Sequence, residues 1–277
     1  MYTWRKRVTS DWLLRRNEDW LRRFGPELAI IEQPGKARTL VEVSCGTRKE
    51  ALQIQREFGG AIEKLRADWL EQIAQRNRAK PLRIGSRLIV SRTRVPTAKS
   101  PRTIVIPAEA AFGTGEHATT AMCLRMLEWV TRKRAAGWSL LDAGTGSGIL
   151  AIAASCLGAK RIVAIENDPM ACAVAKRNAA TNRAHNIEFR NGDVLKEKFR
   201  GKFDIITANL YSEILIAALP AWRRSLAPDG CLILSGILRS QESAVASTLR
   251  RSEFMVRETK RRGKWIALLA SCAGKKS

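Results

Sequence analysis

Apolar and polar positions alternate along this chain with two different periods. In its second half, short and nearly continuous apolar runs recur at Ser139–Ala143, Arg161–Ile165, Ile187–Arg190, Phe203–Ala208 and Cys231–Gly236. Runs of this length that stay apolar on both faces suit strands buried in a parallel sheet. Between them the spacing is helical: a helix begins near Ile149, another runs from a cap at Asp168-Pro169 to Asn178, and others cover Leu219–Leu226 and lie near Gln241–Arg251. Strands at Phe254–Thr259 and Trp265–Ala270 complete a predicted seven-stranded sheet. Ahead of it, Thr119-Thr120 lead into a helix with apolar positions at Met122, Leu124, Met126, Leu127 and Val130.

The first 70 residues follow a different plan. A strand at Thr3–Thr9 precedes a helix that Ser10-Asp11 caps and that runs to Phe24, where Gly25-Pro26 stops it. Strands at Leu28–Glu32 and Thr39–Ser44 flank a Q-P-G-K turn, and a helix from Thr47 to Phe58 ends at Gly59-Gly60 before a strand at Ala61–Ala67. The order β-α-β-β-α-β is ferredoxin-like. Trp4, Trp12, Trp20 and Trp69 read as its core and seams, not as a platform for stacking bases. Residues 1–70 therefore form a small α+β domain, and 71–102, rich in Pro, Lys and Arg, form a linker with a strand-like Leu82–Ser91. Residues 103–277 form the α/β domain.

Candidate chemistry gathers in one stretch, W-S-L-L-D-A-G-T-G-S-G-I-L-A, residues 138–151. Strand, glycine turn and helix in this order make the first half of a βαβ unit, where a nucleotide-like ligand sits against a helix N-terminus. A dinucleotide fingerprint, G-x-G-x-x-G/A, would need Gly or Ala where Ile149 stands, so a nicotinamide cofactor is disfavoured. The loop reads D-x-G-x-G-x-G, with Asp142 leading, and Gly144 and Gly146 leave room for a ligand to approach the backbone. Glu166 ends the next apolar run, where a carboxylate accepts hydrogen bonds from ribose hydroxyls. Asp193, after the third strand, is placed to meet an adenine amino group. Asn209 ends the fourth strand, where an amide carbonyl can accept from an amine.

With these residues in place, the chain resembles the class I S-adenosylmethionine-dependent methyltransferases, which share the glycine loop and the acidic residue after the second strand. The likeness narrows with F-G-T-G-E-H-A-T-T at 112–120, A-I-E-N-D-P at 164–169, A-N-L-Y-S-E-I-L at 208–215 and L-I-L-S-G-I-L at 232–238. Together these are similar to the bacterial ribosomal protein L11 methyltransferase family, well over 104–270 and only in architecture over 1–100. The resemblance implies a Rossmann-like seven-stranded methyltransferase domain behind a ferredoxin-like substrate-recognition domain. It also implies S-adenosyl-L-methionine as cofactor and methyl transfer to lysine side chains or the α-amine of ribosomal protein L11. Cofactor contacts fall by resemblance on Phe112, Thr114, Thr120, Gly144, Gly146, Glu166 and Asn209, the last also positioning the acceptor. Two departures stand out: Asn209-Leu210-Tyr211-Ser212-Glu213 replaces the family's usual N-I-L-A-G, and Glu166 its usual aspartate. Adenine- and glutamine-N methyltransferases carry [DN]-P-P-[YF] at this place, and this chain lacks both prolines.

Composition adds one strong feature. Of 277 residues 49 are Lys or Arg and 26 Asp or Glu, a formal net charge of +23, which divides as +11 over 1–100 and +12 over 101–277. Such an excess suits an anionic partner, ribosomal RNA among them, or simply a solvated basic surface. It keeps a second reading open, an RNA-directed methyltransferase or RNA-binding protein. An inactive cofactor binder ranks below both. Six scattered cysteines read as free, mostly buried thiols, and two histidines are too few for a zinc site. No apolar run approaches the roughly 18–20 residues of a membrane span. The expectation is a cytoplasmic monomer that binds no metal and no membrane.

Overall fold

The computed structural model describes residues 2–9, 11–12, 20, 23–24, 27–31, 38–64, 81–93, 101–107, 117–199 and 201–273. It divides into two compact units, Met1–Arg76 and Asn77–Ser277.

In the first unit, strands β1 (Tyr2–Val8), β2 (Leu28–Ile31), β3 (Thr39–Cys45) and β4 (Ala61–Lys64) form an antiparallel sheet in the order β2-β3-β1-β4. This is the strand order of a ferredoxin-like domain. Helix α1 (Arg48–Phe58) starts in a capping box: the Glu50 amide donates to Thr47 Oγ1 at 3.2 Å and the Thr47 amide to Glu50 Oε2 at 3.3 Å. Alternate residues of β1 and β3 point inward, so Trp4, Val8, Val41 and Val43 meet Ala51 and Ile54 of the helix. Trp20 is buried in the same cluster, 4.7 Å from the Phe58 ring, and Trp12 packs against it. Most of the helix predicted over 10–24, the end of the strand predicted to Ala67, and Trp69 lie outside the described residues.

The second unit opens with a small sheet. β5 (Leu82–Ile84) and β6 (Leu88–Ser91) form a hairpin, and β7 (Arg102–Val105) runs parallel to β6. Ile84, Leu88, Val90 and Ile104 join the main core beside α2 (Ala118–Val130). The residues expected to link two domains thus add a layer to the second. The large sheet holds β8 (Ser139–Ala143), β9 (Arg161–Glu166), β10 (Ile187–Asn191), β11 (Phe203–Asn209), β12 (Leu226–Leu238), β13 (Phe254–Arg262) and β14 (Trp265–Cys272). Its order is β10-β9-β8-β11-β12-β14-β13, parallel except for β14, which is antiparallel to both its neighbours. This is the predicted Rossmann-like seven-stranded arrangement.

The continuous apolar runs have a direct packing cause. Leu140, Ile162, Ala164, Ile205 and Ile233 face a core shared with α2 and α3 (Ile149–Cys156). Their neighbours Leu141, Val163, Ile165, Ile206 and Leu234 face the opposite core, under α5 (Ser212–Ser225) and α6 (Glu242–Arg251). A fourth helix, α4 (Pro169–Thr181), starts with Asp168 accepting from the Met170 amide at 2.8 Å. One prediction needs correction. The helix expected at Leu219–Leu226 begins seven residues earlier, at Ser212, and Pro220, a residue that favours helix starts, stands inside it. The cysteines are free, with Cys45, Cys123 and Cys172 buried and the other three half-buried; burial pushes the Cys123 thiol up to about 12 and Cys231 to about 11. No helix among the described residues is long and apolar enough to cross a membrane.

Candidate functional site

Ligands of open α/β sheets bind at the carboxyl ends of the strands, where successive helices leave on opposite faces. In this chain that edge carries Ala143, Glu166, Asn191 and Asn209, the last residues of β8, β9, β10 and β11.

The loop after β8 bends through three glycines with positive φ: Gly144 at 71°, Gly146 at 55° and Gly148 at 80°. A side chain is unfavourable in that region, and at Gly144 a Cβ would also lie 2.3 Å from Leu210 Cδ2. The Gly144 and Thr145 amides donate to the Ile165 carbonyl at 3.0 and 2.9 Å, which ties the loop to the end of β9. From below, Asn178 Nδ2 of α4 donates to the Ser147 carbonyl at 2.9 Å.

Asp142 anchors this loop from inside. It is buried, and its carboxylate accepts from Thr145 Oγ1 at 2.5 Å and from Thr207 Oγ1 of β11 at 2.7 Å. Burial pushes its carboxyl up to about 6, against the two hydroxyl hydrogen bonds that pull it down. Sequence reasoning marked Asp142 as the head of the motif but missed this brace. Its partner Thr207 is 65 positions away, and only strand pairing brings the two together.

Glu166 meets the loop from the side. Its Oε2 accepts from the Gly146 amide at 2.8 Å and its Oε1 from the Asp168 amide at 3.1 Å. A carboxylate has about four lone-pair sites, so one remains on each oxygen for a hydroxyl donor. Asn191 Nδ2 donates to the Glu166 and Asn167 carbonyls at 2.9 and 3.0 Å and holds the end of β10 against that of β9. Asp193 follows, half-buried, with Oδ1 accepting from the Leu195 amide at 2.9 Å and Oδ2 3.5 Å from Lys196 Nζ. Its side chain therefore caps the next turn.

On the other side of the loop, Asn209 Nδ2 donates to Thr120 Oγ1 at 3.2 Å, joining β11 to the first turn of α2. Its Oδ1 is buried and accepts no hydrogen bond among the described residues. Buried carbonyl oxygens are rarely left unpaired, so this atom is an acceptor open to a donor from beyond the described residues. Leu210 then crosses between two glycines: besides Gly144, a Cβ on Gly236 would lie 2.3 Å from the Leu210 carbonyl oxygen. The glycine of L-I-L-S-G thus exists for the close approach of Asn209-Leu210-Tyr211. Tyr211 is 72% exposed at the mouth, and Glu213 Oε1 accepts from Gln241 at 3.4 Å. His117, at the N-cap of α2, has Nδ1 2.7 Å from Thr119 Oγ1 and packs edge-on against Trp265.

Gly144, Gly146, Glu166, Thr120 and Asn209 thus converge on one edge of the sheet, and Asp193 borders it. Phe112 and Thr114 lie outside the described residues. The cradle suits an adenosine-bearing sulfonium ligand. The positive-φ glycines turn the loop backbone across the strand ends, Glu166 keeps acceptor capacity for ribose hydroxyls, and the Asn209 carbonyl is open to a donor.

Comparison with known proteins points the same way. The profile of the family described as Ribosomal protein L11 methyltransferase (PrmA) matches residues 38–272. A relative of that name from Pelotomaculum thermopropionicum is 39% identical over 206 residues, covering 73% of this chain and 65% of its own length. One from Heliobacterium modesticaldum is 37% identical and covers 70% of this chain and 61% of its own. The match therefore spans just under two thirds of these relatives' length. A solved structure of a ribosomal protein L11 methylase from Lactobacillus delbrueckii subsp. bulgaricus superposes with a TM-score of 0.63 at 32% identity, over 69% of this chain and 98% of the other.

Proposed function

The chain belongs to the ribosomal protein L11 methyltransferase family, and from that membership we propose that it transfers methyl groups from S-adenosyl-L-methionine to amino groups of ribosomal protein L11, on lysine side chains and the α-amine. The observation that carries this reading is the buried, unpartnered Oδ1 of Asn209 at the strand edge beside the glycine loop.

The cofactor, when bound, supplies an activated methyl group, so the protein's task is placement. Gly144 and Gly146 line its path along the backbone, Glu166 accepts from its ribose hydroxyls, and Phe112, Thr114, Thr120 and Asp193 complete the contacts. Asn209 Oδ1 accepts an N–H from the neutral acceptor amine and aims its lone pair. Thr120 prevents the amide from turning, because Nδ2 stays hydrogen-bonded to it. Holding donor and acceptor in line in a desolvated site supplies the rate enhancement. The amine enters uncharged and releases its proton to solvent after transfer.

Substrate choice falls to the first unit, read as a recognition domain at 1–70, and the stretch 71–102, whose strands β5 and β6 pack on the second unit, connects it to the catalytic region. Tyr211 and Glu213 shape the acceptor mouth. The net charge of +23 supports docking beside ribosomal RNA, and a cytoplasmic monomer suits such work. RNA is not favoured as the methyl acceptor, since the family's name specifies a protein and the prolines of the planar-base clamp are missing. The test is incubation of purified L11 with cofactor and enzyme, followed by intact mass and peptide mapping. Methyl groups on L11 amines are expected; unmodified L11 beside demonstrable cofactor binding would reject the proposal.

A further inference from the structure

The acceptor side of the sheet edge ends in a strip of positive charge. Strand pairing sets Asn209 opposite Ser235, Ser235 opposite Ala267, and Ala267 opposite Lys260. Three strand steps separate the ends of that row, about 14 Å. Beyond it, in the direction in which β11 reaches its carboxyl end, come Arg261, Arg262, Gly263 and Lys264 at the tip of the β13–β14 hairpin. Arg239 joins them, its amide donating to the Lys264 carbonyl at 2.9 Å. The segment from Lys260 to Lys264 holds four cations and no carboxylate.

Only part of this charge is neutralised locally. Lys260 pairs with Glu258 at 2.9 Å and Arg261 with Glu242. Arg239, Arg262 and Lys264 are exposed and make no ion pair among the described residues. Lys264 Nζ sits 5.2 Å over the Trp265 ring, which also meets the ring of His117 at the start of α2. The strip is therefore continuous with the site. Burial and then the charge of Lys264 push the His117 pKa down, so the field of the tip reaches the helix that holds Thr120.

We propose that the β13–β14 hairpin tip, together with Arg239, is a docking rim for RNA phosphates beside the acceptor mouth. This deepens the methyl-transfer reading and rests on it, since the rim would engage RNA adjoining the protein acceptor. Guanidinium forks match phosphate oxygens, and among the described residues β13 is the edge strand of its sheet. The positive excess is not confined to one segment, being +11 over residues 1–100 and +12 over 101–277, as suits an extended polyanion better than a short acidic peptide.

The test uses the full-length protein and a fluorescent single-stranded RNA, with anisotropy followed as salt is raised. The variant Arg239→Ser, Arg262→Ser, Lys264→Ser is compared with a control carrying Arg48→Ser, Lys49→Ser and Arg56→Ser on α1. Losing three phosphate contacts should flatten the log–log salt slope by about two for the rim variant and leave the control slope near wild type. In parallel, 4-thiouridine RNA crosslinked to the wild-type chain should map to peptides containing residues 254–265. Equal losses in both variants, or crosslinks elsewhere, would overturn the rim; so would retained RNA binding with loss of a polyglutamate probe, which would make the partner an acidic protein. Transfer to free L11 is assayed alongside. RNA binding mapped to the rim without any transfer would leave the rim standing and remove the functional reading instead.

Discussion

At the scale of single residues, the site depends on polar groups placed where they cost stability. Asp142 is the clearest case. Its folded pKa of about 6 lies above the ordinary 3.8, so the native state binds its proton more tightly than the unfolded chain does. Stability from this group therefore falls as pH rises through that interval and is level above it, a difference on the order of 3 kcal/mol. Urea unfolding at about pH 4 and about pH 7 should show that decline in wild type relative to Asp142→Asn, which cannot ionise. Parallel curves for the two proteins would contradict the assignment. Glu166→Ala should weaken cofactor binding in a folded protein, measured by calorimetry, and unchanged affinity would remove Glu166 from the ribose role. Asn209→Ala should lower kcat by about 10²-fold through lost alignment, with a smaller change in cofactor affinity. The glycine loop, Glu166 and Asn209 were legible in the sequence because a motif and a strand end mark each. The Asp142–Thr207 brace and the seat of Leu210 between Gly144 and Gly236 were not, because each needs partners from separate strands.

At the scale of elements, the seven strands were readable because burial on both faces removes polar residues from them. Helix α5 was half read: Ser212, Leu215, Ala218, Leu219 and Trp222 have helical spacing, but the first of these adjoin the N-L-Y motif and Pro220 disguises the centre. Of the β5–β6–β7 sheet only Leu82–Ser91 is legible as strand-like, and β7 is not, because short strands in a basic segment show no burial until α2 is in place against them. Besides apolar contacts, the hairpin meets α2 at the buried Glu128, which part-exposed arginines flank. Glu128 is 1% exposed; Arg87 Nε lies 3.3 Å from Oε1 and Arg132 Nη2 2.9 Å from Oε2. Burial pushes the Glu128 carboxyl up, and the two arginines outweigh it, so its pKa is lowered from 4.5. The pair's stabilisation is thus complete above the ordinary value and lost as pH falls below it. Arg87→Ala removes one of the two Glu128 partners and the hydrogen bonds of Arg87 to Thr131, and should cost about 1–2 kcal/mol in denaturant unfolding. A change under about 0.5 kcal/mol would show that Arg132 alone suffices.

At the scale of the molecule, the chain holds two compact units, Met1–Arg76 and Asn77–Ser277, and positive charge runs through both. The fold class of both units was legible in the order of their elements, since short connections leave few topologies open; the strand orders themselves come from the pairing. The acceptor could not be read this way, because a methyl-transfer cradle is common to proteins that modify amines, bases and small molecules. The central claim is that this chain methylates protein and uses RNA only as a docking surface. The most direct measurement incubates the enzyme with methyl-labelled S-adenosylmethionine and unmodified large ribosomal subunits, then separates protein from RNA. Label in one small ribosomal protein, identified by mass as L11, is the predicted result. Label in the RNA fraction would contradict the claim while leaving the fold and the cofactor cradle as described.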